Sequence, residues 1–125
     1  YLASEPQAFI LPVSGKGLWS TLYGYLALDM DLNTVKGITF YKHGETPGLG
    51  GEIEKKWFQD NFIGKNIFDD AGNLKSVTVV KGKAVDEKHE VDGISGATIT
   101  SRGVTDFLKS DLQRYLSFLT IHRSN

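Results

Sequence analysis

Hydrophobic spacing changes several times along the chain. From Leu18 to Leu28, "LWSTLYGYLAL" is dense in aromatic and apolar residues and predicts a strand. Polar "DMDLNT" then predicts a turn, and "VKGITFYKH" (35–43) a second strand, so the two form a hairpin. "GETPGLGG" (44–51) holds four glycines and a proline in eight residues and excludes regular structure. A short helix is expected over 52–62, with Ile53, Trp57 and Phe58 on one face. After the turn "DDAGN" (69–73), the β-branched "LKSVTVVKG" predicts a strand ending near Lys81.

The clearest periodicity comes last. Val104, Phe107, Leu108, Leu112, Tyr115, Leu116 and Leu119 recur at intervals of three and four, the stripe of a helix packed on a core. Residues 1–16 follow neither period. Pro6 and Pro12 bracket Phe9 and Ile10, which suits an irregular lead-in or an edge segment. The order strand, strand, helix, strand, helix predicts one α+β domain over 1–125, a small antiparallel sheet with packed helices.

Composition narrows the function. The 14 basic and 15 acidic residues leave a net charge of −1, with no basic run to grip a nucleic acid. The absence of cysteine excludes disulfides, thiolate metal sites and thiol nucleophiles. No apolar run approaches the roughly 20 residues that span a bilayer. Because the chain opens on Tyr1, it is expected to be a piece of a longer protein whose membrane anchor precedes it.

Several motifs fail on their own chemistry. Asp29, Asp31 and Asn33 occupy the first three ligand positions of an EF-hand loop, but Thr34 and Phe40 stand where Gly and Glu are needed. A hairpin turn explains them better. His43 and Glu45 make two ligands of the three or four that zinc takes, and His89 and His122 join no ligand pattern, so no metal is expected. Ser95 lies in a stretch one residue short of a G-x-S-x-G elbow. "ETPGLGG" lacks both the Lys-Ser/Thr pair of a Walker loop and the dinucleotide G-x-G-x-x-G spacing. It is either a tight turn or a backbone-lined platform offering Leu49 to something flat.

"DGISGATITS" (92–101) carries the remaining chemistry. Ser95, Thr98, Thr100 and Ser101 crowd seven positions ahead of the last helix. Hydroxyls here either cap that helix or surround an anion drawn to its unpaired N–H groups. Gly96 and Ala97 would let such an anion approach the backbone. Both readings stay open on the residues alone. No residue set for general acid–base catalysis accompanies them, which suits a carrier that holds a cofactor and does little else.

Taken together, "SGKGLWSTLYGYLAL", "GITFYKHGETPGLGGEI" and "DGISGATITSRGV" resemble the FMN-binding domain found in the C subunit of the bacterial sodium-translocating NADH:quinone oxidoreductase. The G subunit of the Rnf electron-transport complex is a more distant relative of the same kind. The resemblance covers nearly the whole chain. It implies FMN esterified through its phosphate to the threonine of S-G-A-T, here Thr98, by a separate flavin transferase that uses FAD as donor. Asp92 opens the matching motif, and Ser95, Gly96, Ala97, Thr100 and Ser101 would surround the phosphate or cap the helix. Glu45, Thr46, Gly48, Leu49 and Gly50 would lie near the isoalloxazine ring, with Trp19, Trp57 or Tyr23 as candidate walls.

The implied role is a subunit that passes single electrons between redox centres and is not catalytic alone. Its partners would be the other subunits of the NADH:ubiquinone reductase complex and the flavin transferase. An N-terminal helix would anchor it to the bacterial inner membrane, with the domain on the periplasmic side. The alternatives are an Rnf-type subunit with the same flavin, or a domain that binds a phosphate-bearing ligand without a covalent bond.

Overall fold

The computed structural model describes residues 2–3, 8–46 and 48–123. Its centre is an antiparallel sheet in the order β1 (Leu2–Ala3), β2 (Ala8–Lys16), β3 (Thr21–Leu28) and β4 (Val35–Lys42). Side chains alternate along β3: Leu22, Leu26 and Leu28 point inward, while Tyr23 and Tyr25 stay exposed. Val35, Ile38 and Phe40 of β4 and Leu11 and Val13 of β2 complete the buried face. Asp31 accepts from the amides of Asn33 and Thr34 and closes the β3–β4 connection as a turn.

The strand β2 occupies much of the stretch expected to be an irregular lead-in or an edge segment; Pro6 lies outside the described residues. Pro12 is tolerated because β1 pairs only with Ala8 and Phe9. At Pro12 the outer edge of β2 has no strand beside it among the described residues, so the missing N–H breaks no ladder. The next strand starts late, at Thr21. Leu18–Ser20 instead form a tight turn held by a distant carboxylate, a partner that local sequence does not announce.

The helix expected over 52–62 is two short pieces, a 3₁₀ turn (Gly50–Glu54) and α1 (Lys56–Asp60), parted by the extended Lys55. Ile53, Phe58 and Phe62 are fully buried, but Trp57 turns outward at 48% exposure. The β-branched run 74–82 yields only β5 (Thr78–Val79), paired in parallel with β6 (Glu90–Val91). Ser76 cuts it short: at φ +64° it reverses the chain, and the Lys75 and Ser76 amides both donate to the Ile67 carbonyl at 2.8 Å.

The final stripe forms α2 (Thr98–Arg114) and α3 (Leu116–Arg123), separated at Tyr115, whose hydroxyl donates to the Pro12 carbonyl at 3.0 Å. Val104, Phe107, Leu108, Leu112 and Leu119 lie in the core, as their spacing requires. The α2 helix rides on β2 at very short range. A Cβ on Gly103 would sit 2.2 Å from the Lys16 carbonyl oxygen, and one on Gly15 would sit 2.2 Å from Cβ of Phe107. These two glycines set how closely α2 stands against β2. No helix among the described residues is long and apolar enough to cross a membrane.

Candidate functional site

Thr98 is the first residue of α2, and the capping position before it is Ala97 (φ −128°, ψ 41°), which makes no side-chain cap. None of the four crowded hydroxyls caps this helix. The first helical bond runs from the Ser101 amide to the Ala97 carbonyl at 2.9 Å, so the amides of Thr98, Ile99 and Thr100 precede the intrahelical ladder. Capping, one of the two readings open on sequence, is therefore not what the hydroxyls do.

Each hydroxyl has a separate fate. Thr98 is exposed and donates to no group among the described residues. Ser95 is exposed as well. Thr100 is buried and donates to Glu45 Oε1 at 2.7 Å. Ser101 is buried with its Oγ unpartnered, an arrangement that calls for explanation in a folded protein.

Two clefts flank the loop that ends at Thr98. The smaller, about 390 Å³, is mainly apolar and is walled by Leu18, Trp19, Thr46, Leu49, Gly50 and Ile99. The larger, about 970 Å³, is lined by Trp57, Asn61, Lys81, Asp92, Ser95, Ser101 and Arg102 among others. Gly96 and Thr98 border both. Gly96 has φ +77°, and a Cβ there would meet Leu49 Cδ2 at 2.9 Å, so the two glycine-rich stretches touch at this point.

Glu45 lines neither cleft but lies behind the smaller one, 5% exposed. Its Oε1 accepts from the Leu18 amide at 2.7 Å and from Thr100 Oγ1. Its Oε2 accepts from the amides of Trp19 (3.0 Å) and Ser20 (3.1 Å) and from Ser20 Oγ (3.0 Å). Burial works against the charge, yet the bonds from Thr100, Leu18, Trp19 and Ser20 outweigh it and hold the carboxyl below its ordinary value of 4.5. Asp92 shapes the larger cleft. It accepts from the Ala84 amide at 2.8 Å and pairs with Lys83 at 3.5 Å. Chiefly the Ala84 bond lowers its pKa, against a smaller opposing effect of desolvation.

The structure thus brings Thr46, Leu49, Gly50, Gly96, Ala97, Thr98 and Thr100 to one cleft, and Asp92, Ser95, Gly96 and Thr98 to the other. Gly48 lines neither; it turns the loop at φ +81°. Of the three proposed walls, Trp19 and Trp57 border the smaller and larger cleft respectively. Tyr23 borders neither: it packs beside Tyr41 on the outer sheet face, under Lys42 Nζ at 5.6 Å from its ring. His89 is buried, its Nδ1 bonded to the Asn66 carbonyl at 2.8 Å, and no imidazole borders the cleft that holds Ser95. No group of three metal-ligating side chains gathers among the described residues.

Sequence reasoning missed Ser20, Lys81, Arg102 and Thr105. Thr105 Oγ1 accepts from the Val79 amide at 2.9 Å and ties β5 to α2. Nothing in the local patterns marks these residues, because each acts across more than 20 positions or as one of many surface cations.

The model of the FMN-binding domain family matches residues 17–113. A Yersinia pestis protein, by name the C subunit of a Na(+)-translocating NADH-quinone reductase, is 55% identical over 96 residues, which cover 76% of this chain and 36% of that protein. Its namesake in Vibrio anguillarum is 50% identical over 112 residues, 86% of this chain and 44% of that one. The crystal structure of the Parabacteroides distasonis namesake superposes with a TM-score of 0.85 at 50% identity, covering 91% of this chain and 57% of that one. The chain therefore spans well under half the length of the two curated relatives.

Proposed function

This chain belongs to the FMN-binding domain family, and on that premise we propose that it carries FMN on Thr98 through a phosphoester and serves as an electron-carrying subunit of a sodium-translocating NADH:quinone oxidoreductase. The observation that carries the reading is the state of Thr98. It is the motif hydroxyl that is exposed, unengaged and at the first turn of an uncapped helix, and it borders both clefts.

The surrounding residues fit the anionic phosphodiester that would join FMN to Thr98. Early α2 amides and the positive end of the helix dipole favour negative charge. The buried Ser101 Oγ lacks a partner in the larger cleft. Lys81 and Arg102 add positive charge to the same lining. The apolar cleft, with Leu49, Leu18 and Trp19, suits a flat aromatic ring. FMN, when bound, supplies one-electron carriage between redox centres. The chain's own part is to hold the phosphate end at Thr98, present Leu49 and Trp19 to the ring, and restrict water at the smaller cleft. No activating base is needed beside Thr98 if a flavin transferase makes the ester.

On the same reading, the domain faces the periplasmic side of the bacterial inner membrane and is anchored by sequence preceding Tyr1. The other subunits supply the NADH and ubiquinone sites and the sodium pathway. The test is co-expression with a flavin transferase, denaturation, and detection of flavin fluorescence on the protein band. Wild type and Ser95→Ala are expected to fluoresce and Thr98→Ala to lose the signal. An unlabelled wild type, or a labelled Thr98→Ala, refutes the covalent assignment.

A further inference from the structure

We propose that Glu45 is the positioning residue of the apolar cleft: its buried carboxylate ties the Leu18–Ser20 turn to the first turn of α2, and its charge opposes electron uptake by a ring held between them. The second half rests on the FMN reading; the first does not.

The geometry is that of a buried hub. Three consecutive amides, Leu18, Trp19 and Ser20, converge on one carboxylate from 25 to 27 positions away. Runs of successive backbone N–H groups form concave anion sites, and here the anion is a side chain of the protein itself. Thr100 donates from 55 positions away, and Ser20 Oγ, which donates too, accepts from the Gly44 amide at 2.7 Å. Three of the five groups on the two oxygens are amides that can only donate, and the two hydroxyls are placed to donate as well, which favours the ionised carboxylate.

The surroundings leave no slack. A Cβ on Gly17 would lie 2.5 Å from Glu45 Oε1, and one on Gly50 would lie 2.5 Å from Thr100 Oγ1 and 3.0 Å from Glu45 Cβ. Two glycines of the cleft region are thus required by the hub. The elements it joins carry opposite walls: Leu18 and Trp19 on the turn, Thr98 and Ile99 two residues or fewer from Thr100. Trp19 is 69% exposed and has little packing of its own to hold it. The amides bound to Glu45 are what fix its backbone. A charge buried behind the cleft also acts on a neighbour there more strongly than one in solvent.

Two measurements on Glu45→Gln, Glu45→Asp and Ser20→Ala decide the matter. In the apo domain, amide hydrogen exchange at Leu18, Trp19 and Ser20 is expected to accelerate at least tenfold in Glu45→Gln, with Leu26 in β3 unchanged. Ser20→Ala, which removes one side-chain bond and keeps the charge, is expected to give a smaller acceleration at the same amides. In the flavin-loaded domain, the midpoint potential is expected to rise in Glu45→Gln and to return towards wild type in Glu45→Asp. Unchanged exchange at the three amides overturns the positioning role, and an unmoved potential overturns the electrostatic one. Should Glu45→Gln fail to fold, Ser20→Ala decides both halves: exchange decides the first, and its flavin potential, expected below wild type because a donor that offsets the charge is gone, decides the second, an unmoved value overturning it. Should wild type accept no flavin, the FMN reading and the electrostatic half fall together, and exchange in the apo domain still decides the positioning role.

Discussion

Substituting Gly103 by alanine sets two physical effects of opposite sign against each other. In an unconstrained helix the change stabilises by about 1 kcal/mol, because glycine loses more backbone freedom on folding. In α2 the new Cβ would sit 2.2 Å from the Lys16 carbonyl oxygen, 3.2 Å from its carbonyl carbon and 3.3 Å from Gly17 Cα. A carbon and a carbonyl oxygen approach to about 3.3 Å, so the backbones must part by roughly 1 Å. Neither side yields easily. Gly15 is already pressed against Phe107 one turn along, and the turn after Gly17 is pinned by Glu45. Overpacking of this kind costs about 1–3 kcal/mol, and collision with backbone belongs at the upper end. The net expectation is a loss of about 2 kcal/mol, which for a domain of this size lowers Tm by roughly 8 °C. Urea unfolding followed by far-ultraviolet circular dichroism measures it, with Gly37→Ala as control, since nothing lies within 4 Å of a Cβ there. A Gly103→Ala domain stabilised by about 1 kcal/mol would refute the close-approach argument.

Other perturbations probe the hub and the core. Folding lowers the Glu45 pKa below its ordinary 4.5, so its ionised form contributes stability above the unfolded value, and that contribution is lost as pH falls through the folded one. The stability gap between wild type and Glu45→Gln, measured by urea titrations at several pH values, should therefore shrink on acidification. Thr100→Ala removes a donor from that carboxylate and is expected to cost about 1.5–3 kcal/mol, while Thr100→Ser restores most of it. Ser101→Ala deletes a buried hydroxyl that has no partner, so apo-domain stability should hold or rise by up to about 1 kcal/mol in the same assay. Phe58→Ala empties a fully buried site that stacks edge-on with Phe62 at 5.4 Å, and should cost about 3–5 kcal/mol in thermal or urea unfolding.

Sequence alone determined the features that depend on near neighbours. The dense apolar run of β3 and the three-to-four spacing of α2 each mark one element from its own residues, so the strand is legible and Val104 and Leu108 announce the core. Family resemblance, carried by three short stretches, singled out Thr98 from four hydroxyls. Periodicity reached only an uncapped-or-capped helix end.

Tertiary structure decided what distance along the chain conceals. Pro12 suited an irregular lead-in or an edge segment, and the short reach of β1 shows why it stands at an open edge of β2. Ser76 ended a β-branched run through a backbone reversal braced by Ile67. Above all, "ETPGLGG" and "DGISGATITS" looked like two loops around a ligand, yet Glu45 and Thr100 spend their polar atoms on each other. A hydrogen bond across 55 residues is set by how the sheet, α2 and two space-poor glycines meet. Local propensity contains no record of that meeting, because donors from two separate stretches, 18–20 and Thr100, must together offset the desolvation of one carboxylate.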